Sequence, residues 1–117
     1  MRAKFLAAGL LLLSSLSATA QTSHDGRWSV NVVTKIGKCE PSARAVVTIK
    51  DNRVAAIDAD GVEAWGYIDD ANTFVGHFSK GQRVLRANGT VKGETASGPW
   101  SSNTDYCGGD WIAHKID

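Results

Sequence analysis

The sequence predicts an all-β fold, a small antiparallel up-and-down β-barrel of about eight strands with one disulfide. Three observations lead there. Apolar and polar residues alternate with a period of two, as in Arg27-Trp28-Ser29-Val30-Asn31-Val32-Val33-Thr34 and Arg44-Ala45-Val46-Val47-Thr48-Ile49-Lys50, the pattern of half-buried strands. Turn signals recur at intervals of about ten residues, at Asp51-Asn52, Asp60-Gly61, Asp70-Ala71-Asn72, Lys80-Gly81 and Ser97-Gly98. Small residues also fall at inward positions, in Ala64-x-Gly66, Phe74-x-Gly76-x-Phe78 and Ala87-x-Gly89, where a tightly curved sheet needs them. Closure removes the edges that make open sheets aggregate.

Taken in order, the chain begins with a leader. Arg2 and Lys4 precede an apolar run from Phe5 to Leu13, and Ala18-Thr19-Ala20 offers a small-x-small cleavage site. Residues 1–20 therefore read as a secretory signal peptide and 21–117 as one exported domain. The apolar run is shorter than the ~20 residues of a spanning helix, and no later segment supplies one, so no integral membrane segment is expected after cleavage.

Strands are expected at 27–34, 44–50, 53–58, 62–69, 73–79, 82–93, 97–103 and 110–116. Asn88-Gly89 can also form a hairpin turn, which would give nine. One kinked strand is preferred because Leu85, Ala87, Gly89, Val91 and Gly93 keep a single small or apolar face. Asp58-Ala59-Asp60-Gly61-Val62-Glu63 starts like a calcium loop, yet its glycine comes early and no glutamate closes it, so it reads as a turn.

In an eight-strand meander the first and seventh connections share one end, and closure makes the first and last strands neighbours. Cys39 falls in the first connection and Cys107 in the seventh, so a structural disulfide near the seam is expected. Export to an oxidising compartment, periplasmic or extracellular, agrees with it. Trp28, Trp100 and Trp111 are expected to fill the region where first and last strands meet. Trp65 and Tyr67 alternate with the small face and should point outward.

The chemistry that the chain advertises is sparse. It lacks a Gly-x-Ser-x-Gly elbow, a His-Glu-x-x-His motif and a phosphate-cradling glycine loop, and a near-zero formal charge of +1 gives no footprint for nucleic acid. Two isolated cysteines lack zinc spacing, and no metal or cofactor is expected. His24 lies in a flexible leader of the mature chain, while His77 and His114 face solvent. Asp105 and Asp110 flank Cys107 and are the pair a small hydrolase would use, although aspartates are also ordinary turn residues.

Asp25-Gly26-Arg27-Trp28-Ser29-Val30, Gly37-Lys38-Cys39, Ser97-Gly98-Pro99-Trp100 and Cys107-Gly108-Gly109-Asp110-Trp111-Ile112-Ala113 together resemble a group of short exported bacterial proteins of unknown function. These carry D-G-x-W-x-V near the start, then G-x-G-x-W and C-x-G-x-W-x-A near the end; Ala96 stands where the first glycine of G-x-G often falls. Gly26-Arg27-Trp28 also resembles the opening strand of lipocalin- and avidin-like barrels. The resemblance implies the architecture and leaves function open.

The expected function is an exported binding or interaction module without catalysis, using Trp65 and Tyr67 toward a protein or an envelope or host component. The alternative is a calycin-like barrel that takes a small apolar ligand. The small inward residues argue against a roomy interior, so an internal pocket would favour the alternative.

Overall fold

A computed structural model describes residues 23–117; the signal peptide expected at 1–20 lies outside them. The strands are β1 (Gly26–Ile36), β2 (Ser42–Lys50), β3 (Arg53–Ile57), β4 (Glu63–Ile68), β5 (Thr73–Lys80), β6 (Arg83–Lys92), β7 (Thr95–Ser102) and β8 (Cys107–Lys115). They form a closed barrel in chain order, each antiparallel to its neighbours. β1 and β8 close it through pairs such as Val32 with Trp111 and Val30 with Ala113.

Turn chemistry sets these registers. Asp51 and Asn52 both adopt positive φ, 54° and 57°, between the paired Lys50 and Arg53. Two consecutive left-handed residues make the tight hairpin whose twist matches that of its strands. The Asp69 carboxylate shapes the β4–β5 connection by accepting the N–H groups of Ala71 and Thr73, each at 2.9 Å.

β6 is continuous through Asn88-Gly89, as its face predicts, but its ladder to β7 is interrupted there. Pairing passes from Ala87 with Trp100 to Thr90 with Ser97. Pro99 has no N–H to donate, and a Cβ on Gly98 would overlap the Asn88 carbonyl oxygen, so only glycine allows this approach of β7 to β6. The carbonyls of Asn88 and Pro99 are thereby left for the Trp111 indole N–H, which donates to both at 3.1 Å.

β8 begins at Cys107, three residues before the expected start. Gly108 and Gly109 resemble loop residues in sequence, yet they pair with β1 and β7. Cys107 is thus the first residue of β8. It bonds Cys39 of the β1–β2 connection, with Cα atoms 6.2 Å apart, and ties the two neighbouring strands at one end of the barrel. Such a disulfide is compatible with a periplasmic or extracellular location.

The opposite end is plugged by the segment before β1, where one expectation needs correction. His24 is buried, not part of a flexible leader. Its backbone N–H donates to Asn52 Oδ1 at 2.8 Å, its Nε2 is hydrogen-bonded to Asn72 Oδ1 at 2.9 Å, and its carbonyl accepts from Trp28 Nε1 at 2.9 Å. The next residue, Asp25, accepts the N–H groups of Asp51 and Asn52 at 2.9 and 3.0 Å. Apart from Trp28, these partners lie 26 to 48 positions away, so local pattern offers no hint of them.

Candidate functional site: an apolar cavity in the barrel

The barrel is hollow. Its interior holds a cavity of about 410 Å³, within the range of small-molecule sites. The deep part is walled by Trp28, Ile49, Ile68, Phe74, Val91 and Trp111, all buried. Toward the disulfide end the lining continues through Val30, Val32, Ile57, Phe78 and Leu85, which are only partly buried. Inward-facing apolar side chains inside a closed sheet stay accessible only if solvent enters the barrel. Lining residues outside the strands, such as Glu40, Ala59, Val62 and Asp105, all come from connections at the disulfide end, so the mouth is there.

The roomy interior corrects the expectation drawn from the small inward residues, for a geometric reason. Gly76 has no Cβ, and one placed there would sit 2.5 Å from Phe74 and 2.9 Å from Phe78; both rings fold down over the bare backbone. Phe74 and Trp111 meet edge to face with centroids 5.6 Å apart, a favoured aromatic geometry. Glycine on the inner face lets large rings lie against the wall, and the space along the barrel axis stays open.

The walls present almost no polar demand. All three interior indoles have their N–H groups engaged by backbone carbonyls: Trp28 with His24, Trp100 with Val33 at 3.0 Å, and Trp111 with Asn88 and Pro99. An apolar guest therefore strands no buried donor on these rings. Polar groups gather at the mouth, where Glu40, Arg44, Lys80, Arg83 and Asp105 border the opening. Arg83 Nε lies 3.0 Å from Asp105 Oδ2.

The sequence-predicted candidates lie elsewhere. Trp65 and Tyr67 point outward from β4, 57% and 36% exposed, with ring centroids 5.6 Å apart in an edge-to-face contact. Trp65 stands opposite His77, and Tyr67 opposite Val75 and Arg53. Asp105 borders the cavity, whereas Asp110 faces away from it and lies 3.7 Å from Lys35. Among the described residues no group of three or more His, Cys, Asp or Glu side chains is arranged to hold a metal ion, and no helix is long and apolar enough to cross a membrane.

The cavity itself was not singled out from the sequence. Its signal was present in the unbroken inward apolar series Trp28, Val30, Val32 and Val47, Ile49, with no charged residue interrupting it. No family model, curated protein or solved structure matches this chain.

Proposed function

We propose that the protein is an exported, non-catalytic carrier or sensor, periplasmic or secreted, that binds a small apolar molecule inside the barrel. The observation that carries this reading is the partly buried inner face formed by Val30, Val32, Ile57, Phe78 and Leu85 around a cavity of about 410 Å³. Apolar surface left wet in the folded state is surface that a guest can dry, at about 25 cal/mol per Å². The strands close the barrel by their own pairing and the deep wall is packed, so little ordering opposes binding.

Titration of the oxidised protein, extracted to remove carried ligand, with the uncharged fluorophore N-phenyl-1-naphthylamine tests the reading. Saturable one-to-one binding is expected. Competing linear alcohols should gain about fourfold in affinity per added methylene, corresponding to about 0.8 kcal/mol, until the cavity is full. Absence of saturable binding, or competition indifferent to chain length, would refute it.

A second reading is favoured by the outward aromatic pair. Trp65 and Tyr67 present adjoining ring surfaces on one strand, and aromatic side chains dominate the energetics of protein interfaces. They are the proposed contact residues for an envelope or host protein. Replacing both by serine should leave the barrel folded and weaken capture of such a partner; unfolding would place the rings in the core, and unchanged capture would remove them from the site.

A further inference from the structure

We infer that the guest is a single-chain amphiphile whose head group is an anion of the carboxylate type, held at the β5–β6 lip of the mouth. This rests on the apolar-cavity reading and adds the polarity of the ligand to it. Lys80 continues the inward series Phe74, Gly76 and Phe78 on β5, and Arg83 begins the inward series Leu85 and Ala87 on β6. The two residues are directly paired across the hairpin, and both border the cavity.

Like charges opposite one another on adjacent strands are unfavourable. Asp105 holds Arg83 at 3.0 Å, while Lys80, whose stem lies beside Gly61 of the β3–β4 connection, has no ion-pair partner among the described residues. Glu40 belongs to the β1–β2 connection, four strands away around an eight-stranded barrel and therefore across the opening. Among the charged residues that border the cavity where the apolar wall ends, Arg44, Lys80 and Arg83 outnumber Glu40 and Asp105. An alkyl chain in the cavity places its head group there, and an anionic head meets the Lys80 ammonium, which no carboxylate pairs, whereas a cationic head adds a further positive charge beside Lys80 and Arg83. Neutral heads gain neither effect.

Decanoate, decanol and decyltrimethylammonium, each competed against the uncharged fluorophore on the oxidised full-length mature protein, separate the possibilities. Decanoate is expected to bind about tenfold more tightly than decanol, as for one charge-assisted contact at a partly screened site, and decyltrimethylammonium least tightly. The advantage should shrink with added salt. Lys80→Glu should abolish it, and a urea unfolding midpoint close to the parent's reports that the barrel is intact. Equal affinities for the three head groups, or a decanoate advantage that survives in Lys80→Glu, would overturn the head-group assignment and leave the cavity reading standing. Failure of the fluorophore and all three amphiphiles to bind would overturn both.

Discussion

A hollow barrel and a packed one respond with opposite sign when a small inward residue is enlarged, and Ala45→Trp exploits that difference. Ala45 faces inward on β2 opposite Val30 and lines the cavity. A cavity of about 410 Å³ exceeds the volume of any side chain, so an indole enters without displacing its neighbours. Burial of about 150 Å² of ring surface at about 25 cal/mol per Å² contributes about 4 kcal/mol. Imperfect fit and lost rotamer freedom offset about 1–3 kcal/mol of this. The variant should therefore be more stable than the parent by about 1–3 kcal/mol, raising the midpoint of thermal unfolding by several degrees. It should also lose most of its affinity for the fluorophore, because the new ring occupies the guest's space. Urea unfolding at constant slope reads the first effect and titration the second. A loss of about 1 kcal/mol or more is the overpacking response of a filled core; that result, or unchanged fluorophore binding, would refute the hollow-barrel argument.

Reduction of Cys39–Cys107, whose sequence separation is 68, should lower stability by about 4 kcal/mol through restored chain entropy in the unfolded state; paired urea titrations with and without reductant measure it. Gly98→Ala forces a methyl group against the Asn88 carbonyl and pushes β6 from β7, depriving the Trp111 N–H of its acceptors. A loss of about 3 kcal/mol is expected in the same assay, and a loss below about 1 kcal/mol would show that the strands can part freely. Asp25 is held below its ordinary carboxylate pKa first by the Asn52 N–H and then by that of Asp51. Its stabilisation is therefore complete above the ordinary value and lost as pH falls through the depressed one. Asp25→Asn, which keeps one acceptor oxygen in place of two, should be less stable than the parent at neutral pH, with the difference shrinking in acid; a pH-independent difference would show that the carboxylate charge is not involved.

The barrel was legible because its determinants are local. Alternation fixes which side chains face inward, and residues such as Asp51-Asn52 and Lys80-Gly81 fix where strands reverse. Given the meander, placing Cys39 and Cys107 at one end needed only the order of the connections. What escaped were features set by distant partners. His24 is an ordinary residue until Asn52 and Asn72 bring their amides to it, and Gly108-Gly109 signals a loop until β1 and β7 pair with it from both sides.

The cavity escaped for a different reason, which bears on how small residues in barrels are interpreted. Counting inward volume strand by strand treats glycine as a sign that the wall has moved in, and Ala64, Gly66, Gly76, Ala87 and Gly89 then suggest a narrow interior. Volume is not fixed per strand, because a ring from one residue can rest on the bare backbone of another. Phe74 and Phe78 lean over Gly76, and the Trp111 ring covers Gly89. The Trp111 N–H then reaches carbonyls that an unbroken β6–β7 ladder would have consumed. Gly76 and Gly89 therefore supply shelves for aromatic rings, and those rings line the barrel instead of filling it. The same residues that permit the curvature needed for closure also leave the axis open, so fold and proposed site share one cause. Filling a shelf should consequently damage both together: Gly76→Ala is expected to displace the Phe74 and Phe78 rings into the cavity, lowering stability and fluorophore affinity in parallel. Loss of stability with affinity unchanged would separate the shelf from the site.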